Sequence, residues 1–132
     1  MKPDYILETC LYVTDLDAAR AFYTDILGLE FVMQEAGRHV FLRCGDSMFL
    51  LFNPEQTPIV TGFAPPHGAL GPGHVAFAMR EADIPAWRER LQTAGVAIET
   101  EFEWPHGGYS IYFRDPAGNS VELATPRLWG LE

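Results

Sequence analysis

The sequence predicts an α+β fold made of two βαβββ modules in tandem, and three observations carry that expectation. A strand-like alternation over Ile6–Val13 (ILETCLYV) recurs over Gly73–Met79 (GHVAFAM), with Leu11 matching Phe77 at a separation of 66 positions. Each alternation is followed by a stretch of helical spacing that ends at a glycine. These glycines, Gly28 and Gly95, lie 67 positions apart, so the register persists. Each helix then leads into three short strands separated by turn-forming residues.

In the first module Asp15 can cap a helix whose apolar positions are Leu16, Ala19, Phe22, Tyr23, Ile26 and Leu27. Strands follow at Glu30–Gln34, His39–Arg43 and Ser47–Phe52, parted by turns at Ala36-Gly37 and Cys44-Gly45-Asp46. In the second module Asp83 can cap a helix that tolerates Pro85 in its first turn and sets Ile84, Trp87 and Leu91 on one face. Its strands are expected at Val96–Glu101, Tyr109–Arg114 and Ser120–Ala124, with turns at His106-Gly107-Gly108 and Asp115–Asn119. The Pro- and Gly-rich stretch between Asn53 and Gly73 is the natural boundary, giving module 1 at about 5–53, a linker at 54–72 and module 2 at about 73–126. A half of about 60 residues buries too little apolar surface to stand alone, so one domain is expected across 1–132. The linker is long enough for the modules to pair within one chain or to swap between two copies, and a homodimer is expected.

Composition narrows the function classes. With 48% hydrophobic and 13% aromatic residues the chain can bury a real core. A net charge of -9, with 9 scattered basic residues, argues against nucleic acid or an anionic membrane as partner, because both demand clustered Lys and Arg. No apolar run approaches the roughly 20 residues of a membrane span, and Met1-Lys2-Pro3-Asp4 does not read as a signal sequence. A cytoplasmic protein is the expectation. Cys10 and Cys44 fall in no CxxC spacing and read as reduced thiols.

Two motifs carry a family resemblance. Leu7–Leu16 (LETCLYVTDL) followed by Ala21–Gly28 (AFYTDILG) resembles the opening of the vicinal oxygen chelate superfamily, which includes glyoxalases, bleomycin resistance proteins and extradiol dioxygenases. Tyr112–Leu123 (YFRDPAGNSVEL) resembles its closing signature. The resemblance covers nearly the whole chain. It implies a U-shaped mixed sheet around a cavity, helices on the outer face, and a divalent metal ion with a small-molecule substrate inside. It also implies ligand positions at Glu8 and Phe49 in the first module and at His74 and Glu122 in the second. Phe49 cannot bind a metal, so the implied set is Glu8, His74 and Glu122. One imidazole with two carboxylates is a hard donor set that favours Mn, Mg, Zn or Ni over Fe(II).

Strand alternation supplies an independent argument for these residues. With Glu8 inward, Leu7, Leu11 and Val13 face the helix, and around Glu122 the helix-facing pair is Val121 and Leu123. The same alternation puts His39, Phe41 and Arg43 on the concave face of the first module, and Ser110 and Tyr112 on that of the second. Tyr112 lies where fosfomycin-resistance transferases of the superfamily carry a substrate-binding tyrosine, and otherwise seals the core. The rest of that transferase pattern is poorly met: Glu8 replaces a histidine, Cys10 a threonine, and Phe102–Gly108 a basic loop. Arg43 could bind a substrate carboxylate or neutralise Glu122, and Glu122 could pair instead with Arg114. Phe49 and Trp104 form either an aromatic wall or core packing. His67 and His106 are proton carriers or solvated loop residues.

Two functions follow. The first is a metal-dependent enzyme of lyase, isomerase or hydrolytic type, with Glu122 or Glu8 as base and Tyr112 assisting; dioxygenation is the lesser enzyme alternative. The second is a binding protein that, like the bleomycin resistance members, sequesters an aromatic small molecule without turnover.

Overall fold

In the first half of the chain the alternation around Leu11 becomes β1 (Glu8–Tyr12), and the Asp15 carboxylate caps the helix that follows by accepting from the Ala18 N–H at 3.0 Å. That helix, α1 (Leu16–Ala21), widens into a π-helical turn over Phe22–Ile26 before Gly28, at φ 75°, leaves it. Strands β2 (Glu30–Glu35), β3 (His39–Cys44) and β4 (Ser47–Phe52) complete a four-stranded sheet ordered β1-β4-β3-β2. Here β1 runs parallel to β4, and the other neighbours are antiparallel.

The second half repeats the arrangement. Strands β5 (His74–Ala78), β6 (Thr100–Glu103), β7 (Tyr109–Arg114) and β8 (Ser120–Ala124) form a sheet ordered β5-β8-β7-β6, with β5 parallel to β8. Helix α2 (Ile84–Thr93) buries Leu91 completely and is tied down by Arg88, which bonds Glu101 at 2.9 Å and the Tyr109 hydroxyl at 3.3 Å. The Asp83 side chain does not cap α2. It pairs with Arg80 at 2.7 Å. The strand expected from Val96 begins only at Thr100. After β8 a 3-10 turn (Pro126–Trp129) passes so close to Gly108 that a Cβ there would meet the Leu128 backbone at 2.7 Å.

This computed structural model describes residues 1–132, which fall into two units, Met1–Gly73 and His74–Glu132. Much of the linker expected at 54–72 is bonded to the first unit. Arg38 donates to the carbonyls of Gln56 and Ile59, and the buried Thr57 hydroxyl donates to the Asn53 carbonyl.

Register decides which side chains share a face of the first sheet. Thr9 lies opposite Phe49 and Leu11 opposite Leu51, and with Leu42 these residues face α1. Phe49 is 1% exposed, its ring edge-on to Tyr23 at 4.8 Å. This corrects its expected place on the concave face. A strand has period two, so reading it one residue out of step moves a side chain through the sheet. The position that matches Glu122 is Leu50, which faces Cys10 across β1 and β4 as Glu122 faces Ala76 across β5 and β8. Leucine cannot ligate a metal either, so the fourth place still holds no ligand.

On the other face His39 stacks on Phe41, centroids 4.1 Å apart, and its Nε2 is buried without a hydrogen-bond partner. Burial pushes its pKa below the ordinary value; Glu35, 3.7 Å from Nδ1, pulls upward and Arg38 adds to the lowering.

Two stability predictions follow from this packing. Phe49→Ala should cost about 3–5 kcal/mol in urea unfolding, the range for emptying a sealed aromatic site; a near-neutral result would show that the ring is not core. Because the fold favours neutral His39, protonation favours unfolding. Stability present above about pH 6.5 should therefore fall as pH drops through the lower folded value, and His39→Phe should flatten that decline in a Tm-versus-pH series.

Candidate metal centre

The second sheet gathers the polar residues of its exposed face around one carboxylate. Parallel pairing sets His74 opposite Ser120 and Ala76 opposite Glu122, while antiparallel pairing sets Glu122 opposite Tyr112 and Ser110 opposite Ala124. His74, Ser110, Tyr112 and Glu122 thus share a face, with Val75, Ile111, Val121 and Leu123 on the other. The turn before β8 is rigid. Asp115 accepts from the Ala117 and Asn119 N–H groups at 2.9 Å each and from the Asn119 side chain at 2.9 Å.

Glu122 is 5% exposed, so its charge has to be compensated locally. The Ser110 hydroxyl donates to Oε1 at 2.5 Å, and the Trp104 indole N–H donates to Ser110 Oγ at 2.8 Å. On the far side His74 Nε2 stands 3.2 Å from Oε2. Tyr112 joins the same group: burial first, then its hydrogen bond to Glu122 and that carboxylate's charge, push the phenol pKa up, with Ser110 opposing. Arg114, a candidate partner for Glu122, is paired with Glu99 at 3.2 Å instead.

The tautomer of His74 is fixed by its other nitrogen. Nδ1 lies 3.0 Å from the Ser120 carbonyl oxygen, which only accepts, so Nδ1 carries a proton. Nε2 then faces the Glu122 carboxylate either with a second proton or with a lone pair. Two lone-pair donors at 3.2 Å repel one another unless a cation lies between them. Ligands held at about 2.0–2.2 Å on adjacent positions of one ion stand about 3 Å apart, so this pair fits a metal. A carbonyl on the far nitrogen is also the usual orienting contact of a metal-bound imidazole.

The remaining candidates lie in the first unit. Glu8 is exposed at the start of β1, opposite Met48, and lines a cavity of about 720 Å³ with His39 and Phe41. Arg43 is exposed opposite Glu30 and Met48. No three His, Cys, Asp or Glu side chains come together as a ligand cluster. Trp104 is a support for Ser110 rather than a free wall, with its ring against Phe102 at 4.7 Å. His67, left open by the sequence, accepts or donates at Nδ1 to the Tyr12 hydroxyl at 2.7 Å. No local signal joins residues 55 apart, although the 110–112–122 alternation does point to the Ser110–Glu122 contact. His106 lies exposed in the turn after β6.

Comparison with known proteins places this geometry in a family. Residues 4–123 match the model for the Glyoxalase/Bleomycin resistance protein/Dioxygenase superfamily. Among solved structures, a lactoylglutathione lyase from Agrobacterium tumefaciens is 45% identical with a TM-score of 0.95, over 99% of this chain and 100% of that one. The glutathione transferase FosA of Serratia marcescens is 33% identical over 116 residues, 86% of this chain and 74% of that protein. The metallothiol transferase FosB of Bacillus licheniformis is 27% identical over 118 residues, 86% and 70% respectively. The transferases are thus relatives despite the departures at Glu8, Cys10 and the 102–108 loop. No helix is long and apolar enough to cross a membrane. The chain belongs to the glyoxalase, bleomycin resistance protein and dioxygenase superfamily.

Proposed function

We propose that this protein is a divalent-metal-dependent enzyme whose ion is held by His74 and Glu122, with Glu8 the further ligand that the family resemblance implies. The observation that carries the reading is the contact of His74 Nδ1 with the Ser120 carbonyl: in neutral His74 it leaves an Nε2 lone pair facing the buried Glu122 carboxylate, a ready pair of donors. Glu8 is included because it occupies in β1 the place that His74 occupies in β5, each at the strand start, opposite Met48 and Ser120 respectively. Glu8 is exposed at the start of β1.

When bound, a divalent ion supplies an electrophile that holds substrate oxygens and stabilises negative charge on them. The protein's own groups supply the rest. Glu122 or Glu8 is the carboxylate that would abstract a proton, and Ser110 already holds one oxygen of Glu122. Tyr112 keeps its proton, because burial and the neighbouring carboxylate disfavour the phenolate, and is placed to donate it to a substrate oxygen. The relatives named above include two transferases and a lyase whose names all carry a thiol or glutathione. A small thiol adduct with two chelating oxygens is therefore the first substrate class to test, with lyase or isomerase chemistry ahead of dioxygenation. Mn, Mg, Zn or Ni suits the donor set.

Elemental analysis and thermal titration test this reading. Adding metal to 100 times its Kd should stabilise the chain by about 2.7 kcal/mol, and His74→Ala should abolish both bound metal and the Tm gain. No gain with Mn, Zn, Ni or Fe(II) would sink the metalloenzyme. Removing the contact behind Glu122 gives a graded test. Ser110→Ala should weaken metal binding about 10- to 100-fold while leaving the fold intact, as read by calorimetry beside circular dichroism.

A further inference from the structure

The support of Glu122 does not end at Ser110. An indole N–H only donates, so Trp104, at 2.8 Å, occupies a lone pair of Ser110 Oγ and leaves the single hydroxyl proton for Glu122 Oε1. The terminal torsion of a glutamate is broad and soft, so the plane of its carboxylate is set by whatever holds the oxygens. By fixing Oε1, Trp104 and Ser110 also fix where Oε2 stands beside His74.

Trp104 belongs to the turn between β6 and β7. Its N–H donates to the Gly108 carbonyl at 2.9 Å, and its carbonyl accepts from the Gly107 N–H at 3.0 Å. A turn of this kind usually stands free in solvent, whereas this one is pinned by the segment that follows β8. The Tyr109 N–H donates to Thr125 Oγ1 at 2.9 Å, and the Thr125 N–H donates to the Tyr109 carbonyl at 3.0 Å. Arg127 covers Gly107 with a side chain, which can move; a Cβ there would stand 3.1 Å from Nε. Leu128 covers Gly108 with its backbone, which cannot. Glycine at 108, with φ 96°, is thus demanded both by conformation and by contact.

These supports close a ring. Thr125 follows Glu122 by three positions, the 125–128 turn covers Gly108, the Gly108 carbonyl holds Trp104, and Trp104 returns through Ser110 to Glu122. We propose that this ring positions the ion-binding carboxylate: the 125–128 turn, acting at Gly108 through Trp104 and Ser110, sets how Glu122 presents Oε2 beside His74. Gly108 and Trp104 are then positioning residues. The proposal rests on the metal reading of His74 and Glu122, while the ring itself is measurable without metal.

Two glycine substitutions separate contact from strain. Gly108→Ala adds a collision with Leu128 to the strain of a positive φ; Gly95→Ala, just after α2 at φ 72°, carries the strain with nothing within 4 Å. Calorimetric titration of Zn into the full chain, stripped with EDTA and dialysed, should show affinity about tenfold weaker in Gly108→Ala and in Trp104→Phe, and within about twofold of wild type in Gly95→Ala. Gly108→Ala combined with Trp104→Phe should bind no more weakly than the weaker single variant, because both break one path. Additive losses, or equal affinity in the two glycine variants, would overturn the proposal.

The Trp104 indole N–H, assigned among the three tryptophans by its loss in Trp104→Phe, gives a readout on the unaltered, metal-free chain. As urea rises, its protection from hydrogen exchange should fall together with that of the Tyr109 and Thr125 amides, as one opening unit. An indole N–H that exchanges while those amides stay protected rules the ring out, even where Gly108→Ala fails to fold. A wild-type chain that takes up no Zn, Mn or Ni removes the metal reading and the ion-positioning role with it, and the exchange measurement then decides the ring alone.

Discussion

A carboxylate that is 5% exposed on a sheet whose opposite face is mostly apolar must be compensated locally. In the second unit that requirement organises everything near Glu122. Ser110, itself fully buried, gives up its hydroxyl to one oxygen and takes an indole N–H from Trp104 in return. Tyr112 remains a phenol beside it, and His74 closes the other side. The His74 contact would not exist if β5 and β8 paired one residue out of register, because His74 and Glu122 would then lie on opposite faces. The Asp115–Asn119 turn joins β7 to β8 and sets their register from one end. The closing signature is therefore structural for most of its length, and only Tyr112 and Glu122 of it enter the polar cluster.

The two modules share one plan and put opposite chemistry on it. Where the second sheet carries His74, Ser120 and Glu122, the first carries Glu8, Met48 and Leu50 at matching places. Where the second has a polar network, the first has rings: Phe41 and Phe52 with His39 and His67 against them. One face concentrates donors and the other concentrates polarisable surface. This division follows from side-chain choice on a common backbone, since strand order and the parallel pairing are the same in both units.

The sequence exposed what has a period. Alternation located β1 and β5, helical spacing with terminal glycines located α1 and α2, and turn residues separated the remaining strands, so the βαβββ repeat was legible without a structure. The same alternation put Ser110, Tyr112 and Glu122 on one face. It failed at Phe49, where an apolar run, Met48–Phe52, contains no polar residue to say which parity faces the helix; only the Tyr23 contact decides it. The π-helical turn at Phe22–Ile26 was invisible because its apolar positions also satisfy an α-helix. Val96–Glu99 read as strand from composition, yet it lies outside the ladder. Contacts across long separations, Tyr12 to His67 and Arg38 to Ile59, have no local signature at all.

Those long-range contacts explain why the segment after β4 is more than a connector. A loop of this length rich in Pro and Gly gains little from its own backbone, so its conformation has to be set by what it touches. Arg38 at the β2–β3 turn fixes its middle, and Tyr12 at the end of β1 fixes its far end through His67. Both anchors come from the sheet face that carries the rings. Loss of either would open the cavity without disturbing the core on the α1 side, where Phe49, Leu42 and Leu51 remain sealed. The first unit thus separates the sealed face that keeps it folded from the face that carries the rings. The unpartnered nitrogen of His39 costs about 1–3 kcal/mol, which the remaining packing has to offset.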